Sequence, residues 1–388
     1  MMLKSISPVA IVKERPHFGQ VIVPKPGSVV ASPVLAAYDP EPDYFFHWYR
    51  DSAAVIDALR LLRPELSKAD SLFQDHVRFS LDLETLDGRV LPDDWRAAAQ
   101  PDFARFLRKS TDDAHGMAIP AETRVNPDGT LDITDWPRPQ HDGPALRALT
   151  VLRWGAEGEA ADLLRRDLAF VLHRGGRPCF DIWEEEFGLH AYTMRVSAVA
   201  LSAGAPWLAE RGESEMAQRC RAEAAGLEKT LDAFWTEEGG YIRSRHVEGG
   251  APGKLLDCAV ILAANHAGVT GPRYEATLRR LEELFLAAYP INRNLPAARA
   301  PALGRYAGDK YYSGGAYYFS TLGAAEYCYR SGDAARGDAY LETVRAFTPQ
   351  SGDMSEQFDQ RTGEQASARH LAWSYAAFLT AVAARRGQ

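Results

Sequence analysis

Residues 190–208 read HAYTMRVSAVALSAGAPWL. The run is Ala-rich and apolar enough to bury more than one face of a helix, which sets it among other helices rather than at a surface. Outward from it the pattern stays helical almost throughout. Towards the N-terminus the predicted helices are 158–173, 142–154, 94–109, 67–86 and 51–63; towards the C-terminus they are 213–236, 254–267, 273–289, 314–331, 333–347 and 367–386. The 51–63 helix carries Val55, Ile56, Leu59 and Leu62 at helical spacing, and the last carries Leu371, Tyr375, Phe378, Leu379 and Val382 on one stripe. The 142–154 helix opens on Asp-Gly-Pro, where proline suits the first turn. Eleven or twelve helices, many in consecutive pairs with short links, fit a solenoid or a closed double ring. No fixed-period repeat is visible, and closure buries more surface per residue, so an all-α closed double ring is the expected fold. Residues 1–45 stand apart. Pro8, Pro16, Pro24, Pro26, Pro33, Pro40 and Pro42, with the β-like run Val21-Ile22-Val23, predict an extended lead-in.

No Ser/Gly linker or low-complexity tract divides the chain, so residues 1–388 are expected to form a single domain. Hydrophobic residues make up 46% and charged residues 25%, as in a globular protein. Net charge is −8 without a Lys/Arg run, which excludes the concentrated basic surface that nucleic acid or an acidic membrane would need. No run of about 18 apolar residues occurs. The N-terminus lacks the apolar core of a signal peptide, with charges returning at Lys13 and Glu14, and a cytoplasmic protein is expected. Cys179, Cys220, Cys258 and Cys328 form no CxxC pair and read as buried free thiols. The histidines show no HxH or HExxH spacing, so no metal is expected; His47, His141 and His190 read as hydrogen-bond partners around a site.

Five connections are long and dense in Trp, Tyr, Asp, Glu and Arg: 40–51, 126–143, 176–190, 303–315 and 351–366. Ordinary connections are short and lack clustered aromatics, so these five are expected to meet around one cleft. In 177–188, Trp183 precedes and Phe187 follows the triplet Glu184-Glu185-Glu186. An isolated acidic triplet is usually a solvated surface. Between aromatics, desolvation and the neighbouring charges would favour a proton on one carboxyl, as a general acid needs. In 351–364, Glu356 follows Ser355 in an otherwise polar turn, and Ser367 is a candidate cap for the final helix. Two carboxyls roughly 6.5–9.5 Å apart, one protonating a glycosidic oxygen and one activating water, form the inverting glycosidase arrangement. Sugar rings pack their C–H faces on Trp and Tyr and bond their hydroxyls to Asp, Arg and Glu. Segments 44–51 (YFFHWYRD) and 136–142 (WPRPQHD) mix both kinds; Arg138 and Trp183 count as substrate-binding candidates on this ground.

At these segments the sequence resembles glycoside hydrolase family 15, the glucoamylases and their relatives. The matching stretches, in order, are YFFHWYRDS (44–52), WPRPQHDGPALRA (136–148), FDIWEEE (180–186), GRYAGDKYYSGG (304–315) and MSEQFDQRTGEQASARHLAWSYAA (354–377). The resemblance implies an (α/α)6 barrel, with Glu184 as the catalytic acid and Glu356 as the base. It implies that Arg50 and Asp51 grip hydroxyls of the terminal glucose, that Arg305 binds sugar, and that Glu185 contacts the second sugar. Trp48 and Trp136 are implied as pocket aromatics, and Tyr44 and Tyr311 as tyrosines near the base. It implies no cofactor, and β-glucose released one unit at a time from non-reducing ends.

The chain departs from the family pattern in three ways. An N-terminal β-sandwich and a starch-binding module are not expected. After Tyr311-Tyr312 it reads Ser-Gly-Gly-Ala-Tyr-Tyr where the glucoamylase pattern reads Asn-Gly-Asn-Pro-Trp, so Tyr317 stands for a tryptophan of the pocket wall, which bears on linkage and length preference. Asp132-Ile133-Thr134-Asp135 replaces a tyrosine-containing loop, which bears on the outer subsites. Small soluble α-1,4-linked maltodextrins are the expected substrates, followed by α-1,6-linked isomalto-oligosaccharides or dextran, then trehalose. A non-catalytic sugar-binding barrel is the alternative from another class; a phosphorolytic barrel would need a phosphate pocket in place of Glu356.

Overall fold

Inner and outer helices differ first in how much of each is apolar. In the computed structural model, which describes residues 1–36, 41–91 and 94–387, eleven α-helices are present among those residues. In chain order they are α1 (Tyr49–Leu61), α2 (Ala69–Leu83), α3 (Asp142–Trp154), α4 (Glu159–Arg174), α5 (Ala191–Glu210), α6 (Ser214–Asp232), α7 (Ala259–Ala267), α8 (Pro272–Ala288), α9 (Tyr318–Arg330), α10 (Ala334–Ala346) and α11 (Ala372–Arg385). Pro40, counted above in the lead-in and in the 40–51 connection, lies outside the described residues. In α9 every residue from Tyr318 to Tyr329 is buried. In α6 burial follows a single stripe of Ala217, Cys220, Ala224, Leu227 and Leu231. A helix buried on all sides needs neighbours all round; a striped one needs a single neighbour and water.

The packing follows. The odd-numbered helices touch in sequence, α1 on α3, α3 on α5, α5 on α7, α7 on α9 and α9 on α11, and α11 closes back on α1. The even-numbered helices lie outside: α4 against α3 and α5, α6 against α5, α8 against α7, α10 against α9, and α2 against α4. This is the (α/α)6 barrel with six inner and, among the described residues, five outer helices. At the seam between α11 and α1, the lead-in takes the sixth outer place: its turn Met2–Lys4 packs on α11, and Met2, Ile6, Val29 and Ala31 join the main core. Close approach also has a residue behind it. A Cβ on Gly204 of α5 would come within 2.6 Å of a Leu168 methyl on α4, so any larger residue would have to push the Leu168 side chain aside.

The predicted helices 142–154 and 333–347 match α3 and α10 closely, whereas others start or stop inside their expected ranges. The predicted 94–109 helix is replaced by two 3-10 turns, Trp95–Ala98 and Pro101–Phe106. Pro101 has no N–H to offer and disfavours a helical residue before it. Val21-Ile22 does lie in a short strand, Gln20–Ile22, antiparallel to Lys13–Arg15. All four cysteines are buried free thiols. No helix of the described residues is long and apolar enough to cross a membrane.

Candidate active site

Chain direction sorts the connections. Links from an inner to an outer helix are short: 155–158, 211–213, 268–271 and 331–333. Links from an outer helix to the next inner one are long: 84–141, 175–190, 233–258, 289–317 and 347–371. The long links therefore gather where the inner helices begin, and the positive ends of the helix dipoles point the same way, which favours carboxylates there. A cavity of about 260 Å³ opens at this end.

Glu184 stands at the tip of a tight loop between strands Cys179–Phe180 and Phe187–His190. Asp181 builds the loop: its Oδ1 accepts the N–H groups of Glu185 and Glu186 at 2.7 and 3.0 Å, and its carbonyl accepts that of Glu184 at 3.0 Å. His190 Nε2 lies 3.1 Å from the carbonyls of both Cys179 and Glu186 and ties the loop ends together. Glu184 itself takes a left-handed backbone, φ 63°. Its Oε1 accepts from Trp48 Nε1 (2.8 Å) and Arg50 Nη2 (3.0 Å), and its Oε2 from Trp136 Nε1 (2.6 Å).

The triplet is not a mutually repelling surface. Glu185 accepts from Arg305 Nη2 at 3.0 Å, Tyr306 Oη at 2.5 Å and Lys254 Nζ. Glu186 pairs with Arg245 at 2.8 Å. Each carboxylate thus has its own cation, and two of these, Lys254 and Arg245, lie outside the matching segments.

Glu356 stands in the link before α11, three places round the inner ring from α5, which follows Glu184. The strand after it, Gln357–Phe358, pairs with Ala316–Tyr317 and Gln365–Ala366. Its N–H donates to Ala368 O at 2.8 Å, and Ser367 Oγ donates to its Oε2. Ser367 is therefore not the cap of the last helix: α11 begins five residues later, and the serine turns inward instead. Burial pushes the Glu356 carboxyl up to about 7, against the pull of the Ser367 hydroxyl and Arg305 and with a further push from Asp51 and Asp309. Asp51 is likewise raised to about 6, by burial first, opposed by Arg50 and helped by Glu184. Tyr44 is raised well above the usual phenol range by burial and then by Glu356, with a smaller part from Glu184. Asp51 and Tyr44 thus feel both glutamates across the cavity. No hydrogen bond among the described residues joins Glu184 to Glu356.

Of the thirteen site residues named from sequence, eleven line the cavity: Tyr44, Trp48, Arg50, Asp51, Trp136, Trp183, Glu184, Glu185, Arg305, Tyr311 and Glu356. Arg138 does not. Its guanidinium is spent on Glu122 (2.6 Å), Asp132 (3.3 Å) and the carbonyl of Trp136 (2.8 Å), so it braces the loop behind the indole. Tyr317 does not either. It is fully buried, donates to Asp309 Oδ2 at 3.1 Å and accepts from Gln357 Nε2 at 2.8 Å. Asp309 in turn holds Arg305 through two bonds of 2.6 and 2.7 Å. Sequence reasoning missed Phe319 and Trp373, whose stacked rings, 4.4 Å apart, line the cavity. For Trp373 the signal was present, since it lies in the segment 354–377; Phe319 lies outside the matching segments. Asp257, which accepts from Trp183 Nε1 at 2.9 Å, left no local signature. Among the described residues no cluster is placed to hold a metal ion.

The family model for glycosyl hydrolases family 15 matches residues 19–337 and 332–383. Glucoamylase 1 of Rhizopus oryzae is 26% identical over 93% of this chain and 68% of its own length. Glucoamylase P of Amorphotheca resinae is 28% identical over 93% of this chain and 65% of its own. The solved structure of Hormoconis resinae glucoamylase superposes on 100% of this chain and 72% of that one, with a TM-score of 0.80 and 25% identity.

Proposed function

The chain belongs to glycosyl hydrolases family 15, and from that premise we propose that it is an inverting, exo-acting α-glucosidase releasing β-glucose from the non-reducing ends of soluble α-1,4-linked gluco-oligosaccharides. The observation that carries the reading is that Glu184 and Glu356 line one cavity with no bond between them. Glu184 is the acid. Three of the roughly four lone-pair positions of its carboxyl are taken by N–H donors, leaving one on Oε2 for the proton that passes to the glycosidic oxygen. Glu356 is the base, taking a proton from the water that attacks the anomeric carbon on the face opposite the departing oxygen. A carboxyl raised to about 7 is a stronger base than an ordinary glutamate. Arg50 and Asp51 bond hydroxyls of the terminal ring, Arg305 and Glu185 reach the second, and Trp48 and Trp136 pack its C–H faces. A cavity of about 260 Å³ is smaller than the roughly 300–1,000 Å³ of drug-sized sites, which suits attack on one terminal ring at a time.

Hydrolysis of maltotriose by the wild type and by Glu356→Gln tests the reading. The variant is expected to lose activity by at least about a hundredfold, and NMR of the first turnovers to show the β-anomer. A wild type as inert as the variant on maltose, isomaltose, dextran and trehalose would favour a sugar-binding barrel. Initial α-glucose would remove Glu356 from the role of base. Faster cleavage of isomaltose than of maltose would overturn the linkage.

A further inference from the structure

Four tryptophans line the carboxylate-lined cavity, and three of them donate the indole N–H to a carboxylate. Trp48 and Trp136 donate to Glu184. Trp183 donates instead to Asp257 Oδ2, at 2.9 Å, and Asp257 does not line that cavity.

Asp257 is buried in the link 233–258, two residues before α7 begins. Its Oδ1 accepts the N–H of Ala259 at 2.8 Å, so each oxygen faces its own donor. The backbone here is pinned to the neighbouring link. Asp257 pairs with Tyr306 in an antiparallel bridge, and the Cys258 N–H donates to Arg305 O at 2.9 Å. Burial, the largest influence, pushes the Asp257 carboxyl up to about 7, against the pull of the Ala259 and Trp183 N–H groups. Such burial carries a desolvation cost, and among the described residues the Trp183 indole is the one side-chain donor that meets it.

The other contacts of the indole act on its face. Phe319 lies nearly parallel to it, with centroids 5.9 Å and planes 22° apart, and the Arg305 guanidinium is 5.3 Å from its centre. Face contacts let a ring turn in its own plane; a directional bond at its edge removes that freedom. The acid is held separately. Glu184 follows Trp183 in the chain, but its carboxyl is fixed by Trp48, Arg50 and Trp136 and its N–H by the Asp181 carbonyl. Loosening Trp183 therefore disturbs the wall of the cavity and spares the proton donor.

We propose that Asp257 is a positioning residue for substrate binding, locking the Trp183 indole in the orientation that packs a sugar ring of the substrate. The proposal rests on the exo-glucosidase reading of the cavity.

Asp257→Asn tests it. The amide NH2 cannot accept, so one of the two facing N–H groups loses its partner; the Ala259 backbone is fixed, and the indole yields. KM for maltose is expected to rise about tenfold, the size of one hydrogen bond to a charged group, with kcat and its pH profile little changed. In a Trp183→Phe background, where the donor is already gone, Asp257→Asn is expected to add little. A fall in kcat at constant KM, or losses that add in full, overturns the role. NMR of the indole N–H groups reads the bond without turnover. Trp183→Phe identifies the Trp183 signal by its disappearance, and Asp257→Asn is expected to move that signal upfield. A signal that stays in place, or a wild-type Trp183 N–H that exchanges as freely as an exposed indole, overturns the lock; the second reading stands even where Asp257→Asn fails to fold. A wild type inert on the four glucosides above defeats the exo-glucosidase reading instead, and calorimetry with maltose then decides the lock. Binding about tenfold weaker in Asp257→Asn supports it, and equal binding overturns it.

Discussion

Ser367 sits at φ 64° and Glu184 at φ 63°, a left-handed backbone that costs a non-glycine residue about 1–2 kcal/mol. Of the six non-glycine residues with positive φ among the described residues, these two are one proposed catalytic residue and the hydroxyl that bonds the other. The Ser367 hydrogen bond favours the ionised form of Glu356, so Ser367→Ala raises the carboxyl above its value of about 7. The base works ionised, so activity falls as pH drops through that value, and the acidic limb of kcat/KM moves to higher pH in the variant. An unmoved limb with a uniformly lower rate would make the serine a purely structural residue. Glu184→Gln is expected to lose activity on maltose and retain more on glucosides whose leaving group departs without a proton; equal losses on both would count against the acid. The glutamates were legible because aromatics flank one of them and long matching segments hold both. Ser367 was misread because a serine before an apolar-periodic run is an ordinary cap signal. Nothing local reveals that Ser367 turns towards a carboxylate 11 positions back.

Helices were legible as elements because each apolar pattern reports burial directly; their ends were not. The 94–109 stretch had helical periodicity, but Pro101 and contacts to the lead-in decided for 3-10 turns. Between elements, the sequence hides its polar ties. Arg147 of α3 is almost fully buried and bonds Asp167 of α4 at 2.7 and 2.9 Å. Removing one partner of a buried pair strands the other charge. Asp167→Ala is therefore expected to cost about 3–5 kcal/mol in urea unfolding. The double replacement Arg147→Met with Asp167→Leu is expected to recover most of that loss. Equal stability of the single and double variants would show that solvent reaches the pair.

At the scale of the molecule, the closed ring was legible from paired helices, whereas the seam was not. An outer helix is absent there among the described residues, and an irregular segment rich in proline does its packing. Ile6→Ala in that segment removes a buried side chain from the main core and is expected to cost about 2–5 kcal/mol. Turnover per folded molecule should be unchanged; an unshifted thermal midpoint would mean that the lead-in merely lies on the surface. The same seam sets the timing of assembly. Because α11 is the neighbour of α1, the ring stays open on the ribosome until residue 385 has emerged, with the greasy flank of α1 uncovered while the helices between them are made. Apolar surface left open in a nascent chain is prone to aggregation, and slowing synthesis between α1 and α11 prolongs its exposure.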